Sequence, residues 1–115
     1  MDIETAERAA TKLGETILSR KGYEIVDTGS GEFSRVVAID DGTLVFVKVT
    51  ISGPGSDFPS SRPDRKAAER SAMAWLAGHG DLPDMPIRFD VIDVVAVTGC
   101  NKGIARHTVS ALSEA

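Results

Sequence analysis

Residues 43 to 51 read Thr-Leu-Val-Phe-Val-Lys-Val-Thr-Ile, and no other stretch constrains the fold as strongly. In an extended chain, successive side chains point to opposite faces. Val45, Val47, Val49 and Ile51 therefore share one face, while Phe46, Lys48 and Thr50 share the other. The first face is apolar throughout; the second turns polar toward its end. That is the pattern of a central strand in a sheet covered on both sides. A second strand-like run, Glu32 to Ile39, lies just upstream, with Asp40-Asp41-Gly42 between the two. Asp and Gly tolerate the positive φ angles of a tight turn, so the two runs are expected to form a hairpin.

The flanking segments supply helices and further strands. Ile3, Ala6, Ala10, Leu13 and Ile17 recur at spacings of three and four, which predicts an amphipathic helix over residues 3 to 21. Arg20 and Lys21 suit its last turn and Gly22 its stop. Tyr23 to Val26 reads as a short strand, and Asp27 to Gly31 as turn chemistry. Gly53, Pro54, Gly55 and Pro59 make residues 52 to 62 a mobile loop. Ser61 and Pro63 then open a helix that ends at Gly78, with Ala68, Ser71, Ala72 and Trp75 as its packing stripe. Arg88 to Val97 is expected to be a strand buried on both faces, and Ile104 to Leu112 a last strand. The order is α-β-β-β-α-β-β. A meander, a crossover helix and one more hairpin give an α/β domain whose mixed five-stranded sheet is flanked by helices.

Composition narrows the function classes. The 115 residues carry 13 Lys and Arg against 17 Asp and Glu, a net charge of −4. Such a chain does not coat nucleic acid by bulk charge, so any contact with DNA or RNA must use a local basic patch. A single cysteine, Cys100, suits a reducing cytoplasm, and the acidic Met1-Asp2-Ile3-Glu4 lacks the basic start of a secretory signal. No apolar run approaches the length of a membrane span. The length is that of one domain, residues 1 to 115.

Five pieces of the chain occur together in a telling order. They are Gly22-Tyr23, Gly31-Glu32-Phe33, Leu44-Val45-Phe46-Val47, Lys66 and Arg70 ahead of Ala74-Trp75-Leu76, and Arg88-Phe89-Asp90-Val91. In that order and at those spacings they resemble the YraN family of predicted endonucleases, related to Holliday-junction resolvases. The resemblance implies a restriction-endonuclease-like fold of the PD-(D/E)xK type, and Mg²⁺ as the family's cofactor. It also implies four functional positions that this chain fills differently. The family's Asp after Gly-Glu-hydrophobic is Ser34, the Glu and Lys of its Glu-hydrophobic-Lys are Lys48 and Thr50, and its first-helix Glu is Thr11. Of the acidic set Glu32 remains.

Magnesium is held by hard oxygen ligands, normally one or two carboxylates with water and phosphate. Glu32, Ser34, Lys48 and Thr50 offer one carboxylate, two hydroxyls and an ammonium. An ammonium at a metal position repels the ion, by on the order of several kcal/mol at close range in a partly buried site. The expectation is a degenerate site with no metal, in which Lys48 either pairs with Glu32 or takes over the metal's charge and holds a phosphate.

Arg62, Lys66 and Arg70 are spaced by four along the second helix, and Arg65 lies beside them. With Asp64 and Glu69 the segment carries a local excess of two positive charges, a candidate phosphate contact or else a solvated helix face. Asp90 and Asp93 are three apart on one strand and are expected on opposite faces, Asp90 paired with Arg88 or a helix end. His79, Cys100 and His107 are scattered and show no zinc spacing. Three functions follow: nucleic-acid binding without cleavage through Lys48, Arg62, Lys66 and Arg70; a protein-interaction module, including a homodimer; or a metal-dependent endonuclease with a displaced site.

Overall fold

The computed structural model describes residues 3–28, 36–52, 65–96 and 103–110. Its elements follow the expected order: α1 (Ile3–Arg20), β1 (Glu24–Thr28), β2 (Val36–Asp40), β3 (Thr43–Ser52), α2 (Arg65–Ala77), β4 (Ile87–Ala96) and β5 (Gly103–Thr108). The strands form one five-stranded mixed sheet with spatial order β1-β2-β3-β4-β5. Neighbours pair antiparallel except β3 and β4, which run parallel from Leu44↔Ile87 to Ser52↔Val95. A parallel pair needs a crossover, and α2 lies within it.

The hairpin forms as its turn residues require. Asp41 and Gly42 both have positive φ, 48° and 78°, and connect the paired Asp40 and Thr43. Two left-handed residues in a two-residue loop match the twist of the strands they join. Gly22 (φ 92°) stops α1, and the Tyr23 amide reaches back to the Leu18 carbonyl.

Side-chain alternation on β3 divides the core in two. Val45 and Val47 face α1, where they pack with Ala10, Leu18, Val36, Ala38, Ile92 and Val94. Leu44 and Phe46 face α2, with Val37, Ala68, Ala72 and Val91. Ala68 and Ala72 are the buried apolar residues that α2 contributes. On α1 Gly14 stands close to the sheet: a Cβ there would lie 3.2 Å from Val49 Cγ2. Leu18, outside the expected stripe, is completely buried. Burial of each such large apolar side chain stabilises the fold by roughly 1.5–3 kcal/mol.

Two boundaries differ from expectation. Asp27 and Thr28 belong to β1 and not to a turn, because a bulge between Ile25 and Asp27 keeps the strand paired. The Trp75 indole N–H also donates to the Asp27 carboxylate (2.8 Å) and ties β1 to α2. The last strand does not continue to Leu112. It ends at Thr108, and Ser110 turns with φ 54° while its amide donates to Asp90 Oδ1 (3.0 Å). The expected loop over residues 52 to 62 and the helix-opening Ser61 and Pro63 lie, beyond Ser52, outside the described residues.

Candidate functional site

Lys48 and Thr50 stand where alternation places them, on the α2 face of β3 beyond Phe46. Both are half-buried. Register sets Thr50 against Asp93 on β4, and Asp93 against Arg106 on β5. The three form a row across the sheet. The Thr50 hydroxyl donates to Asp93 Oδ1 (2.5 Å) and Arg106 Nη2 donates to Asp93 Oδ2 (3.1 Å). Asp93 is buried, and its guanidinium partner is half exposed. Both carboxylate oxygens are thus engaged.

Helix α2 packs on the same sheet face: Ala68 and Ala72 join its apolar cluster, and Trp75, near the C-terminal end, packs edge-on against Phe46 in the first half of β3. Arg65, Lys66 and Arg70 are exposed. Arg62, Glu32 and Ser34 lie outside the described residues, and so does the expected Glu32–Lys48 pair. Thr11, at the family's first-helix Glu position, is half-buried on α1.

Among the described residues, the Thr50–Asp93–Arg106 row holds one carboxylate, engaged by a hydroxyl and a guanidinium, and Lys48 beside it adds an ammonium. Among the described residues, no group of three His, Cys, Asp or Glu side chains is placed to hold an ion.

The opposite face holds a second polar cluster, and sequence reasoning foresaw only part of it. Asp90 points to the α1 side, away from Asp93, as the odd spacing requires. It is completely buried and accepts five hydrogen bonds. Arg88 Nε (2.9 Å) and the Ser110 amide (3.0 Å) reach Oδ1. Arg88 Nη2 (3.1 Å), the Tyr23 hydroxyl (3.2 Å) and His107 Nε2 (2.8 Å) reach Oδ2. Arg88 also bonds Asp40 (3.1 Å) and the Tyr23 oxygen (2.6 Å), and Lys21 Nζ lies 2.8 Å from His107 Nδ1.

The expected Arg88–Asp90 pair is present, but His107, read as a scattered residue, is a buried member of the same cluster. Local spacing carries no trace of this, because sheet register across β4 and β5 brings Asp90 and His107 together. Cys100 lies outside the described residues. His79 stands apart, stacked on Trp75 with ring centroids 3.8 Å apart.

Electrostatics follow from this packing. Burial alone would raise the Asp90 pKa, but the hydrogen bonds from His107 and Arg88 outweigh it and hold the carboxyl below its usual range. Burial, and next the Asp90 charge, push the Tyr23 phenol up to about 12. The hydrogen bond to Asp90 outweighs burial at Arg88 and raises its pKa, so the guanidinium stays charged. The cluster binds the end of α1, β2, β4 and β5 into one unit. Its saturation makes it a structural ionic core, whereas the α2 face presents exposed cations.

Neither a family model nor a curated protein matches this chain.

Proposed function

We propose that this chain is a restriction-endonuclease-like domain that holds the phosphate backbone of a nucleic acid and does not cleave it. The observation that carries the reading is Lys48 on the α2 face of the central strand, beside a row whose one described carboxylate is already paired with Arg106 and bonded by Thr50. The order α-β-β-β-α-β-β, with β3 and β4 parallel, supports the fold assignment. Arg65, Lys66 and Arg70 add exposed cations on α2, the helix that packs on the same face. Phosphate contacts of this kind position a nucleic acid without reading its sequence.

Fluorescence anisotropy with labelled duplex and single-stranded probes, across a salt series, tests the binding. Affinity should fall with salt, and Lys48→Ala or Lys66→Ala should each flatten the log–log slope by about 0.9 on duplex DNA. Plasmid or branched DNA incubated with Mg²⁺ or Mn²⁺ should stay intact. Cleavage that disappears in Glu32→Ala would replace this reading with that of an active endonuclease with a displaced site.

One observation favours a second reading, an assembly module. The β1 edge of the sheet is interrupted by a bulge and bears Glu24 and Asp27, both of which discourage strand addition. The β5 edge pairs with β4 without interruption and exposes Ile104, at 57% of its surface. Light scattering across a concentration series decides whether copies associate, and Ile104→Lys should weaken association that uses this edge.

A further inference from the structure

The contacts of His107 assign its protons. Its Nδ1 lies 2.8 Å from the ammonium of Lys21, which can only donate, so Nδ1 must carry a lone pair. Its Nε2 lies 2.8 Å from a carboxylate that accepts four other bonds, so Nε2 must carry the hydrogen. The ring is then neutral and wedged between a donor and an acceptor. The His107 side chain is 3% exposed, and the ring lies edge-on to Tyr23 with centroids 5.7 Å apart.

The charges around it agree. Lys21 follows α1, Tyr23 precedes β1, Asp40 ends β2, and Arg88 and Asp90 lie on β4. Two cations, Lys21 and Arg88, face two carboxylates, Asp40 and Asp90, while Tyr23 stays neutral because its phenol titrates at about 12. The cluster is balanced with a neutral imidazole. A proton on Nδ1 would add a third cation and replace an accepted bond with two donors face to face at 2.8 Å. The Nε2–Asp90 bond would survive and strengthen. The contact that yields is therefore Lys21, whose side chain is exposed and can re-enter water.

We propose that His107 is a proton-operated latch. While it is neutral, it tethers the end of α1 to β5 through Lys21; on taking a second proton it stays on Asp90 and ejects the lysine. The device lies on the sheet face opposite Lys48.

The native, isotope-labelled chain tests this by NMR, with its other histidine as an internal reference. His79 Nδ1 lies 2.7 Å from the Trp75 carbonyl, which can only accept, so His79 must carry its hydrogen on Nδ1. At neutral pH the ring nitrogen signals should show opposite tautomers, Nε2–H for His107 and Nδ1–H for His79. During acidification the side-chain signal of Lys21 should shift with the midpoint of the His107 ring. Either an Nδ1–H tautomer at His107 or a Lys21 signal indifferent to His107 protonation would overturn the latch.

Discussion

Replacing Asp90 with Asn is the sharpest test of what holds this domain together. The substitution keeps size and shape but removes a charge from a site with no solvent exposure. Of the five donors that converge on the carboxylate, an amide oxygen in the Oδ1 position can still serve Arg88 Nε and the Ser110 amide. The new NH₂ group then confronts Arg88 Nη2, the Tyr23 hydroxyl and His107 Nε2, all donors toward that position. Arg88 retains Asp40 alone as an ionic partner. Removing one member of a buried ion pair costs about 3–5 kcal/mol, because the other charge stays in place. Against a total stability of about 5–15 kcal/mol that is a large fraction. For a chain of this size it corresponds to a melting temperature lower by about 12–20 °C.

Asp93→Asn provides the comparison. It keeps an acceptor for Thr50, and its half-exposed Arg106 can be solvated, so its cost should be about 1–2 kcal/mol. Urea unfolding followed by circular dichroism, with equal slopes required of both variants, measures the difference. An Asp90→Asn protein within 1 kcal/mol of the native chain, or more stable than Asp93→Asn, would refute the reasoning.

Further expectations concern pH and close packing. The depressed Asp90 pKa stabilises the fold above the unfolded carboxyl value of about 3.9, and this contribution is lost as pH falls through the lower folded value. Asp90→Asn should therefore show a flatter acid limb in stability-versus-pH curves, and an unchanged limb would count against the assignment. The Tyr23 phenol, raised from 10.0 to about 12, stabilises the fold fully below pH 10 and ceases to do so as pH climbs through 12. Tyr23 is the one tyrosine of the chain, so phenolate absorbance reads it directly, and Tyr23→Phe should remove that loss. Gly14→Leu should destabilise by several kcal/mol in thermal melts, since even a Cβ meets Val49 Cγ2 at 3.2 Å and Ile92 Cδ1 at 3.5 Å. A melting temperature equal to that of the native chain would show that α1 stands farther from the sheet.

Alternation at Val45, Val47 and Val49 against Phe46, Lys48 and Thr50 announced a central strand with two covered faces. Asp41-Gly42 announced the turn that precedes it, and odd spacing separated Asp90 from Asp93. These are properties of neighbours along the chain: the two-residue period of a strand and the φ preferences of single residues need no information from elsewhere. Leu18 escaped the helical stripe because apolar residues on two adjoining rows of α1 are equally consistent with a 3.6-residue period. The sheet decided between them.

The Asp90 cluster lies at the other extreme. Tyr23, Arg88 and His107 are distant in sequence and meet because β5 returns antiparallel on β4 while the chain leaves α1 just beneath them. A buried carboxylate keeps its charge if enough donors converge on it, and convergence is a product of register and packing. Periodicity and turn chemistry therefore laid down the elements and their order. The partner of each charge, and hence the tautomer of His107 and the saturation of Asp90, came into being when the strands were laid side by side.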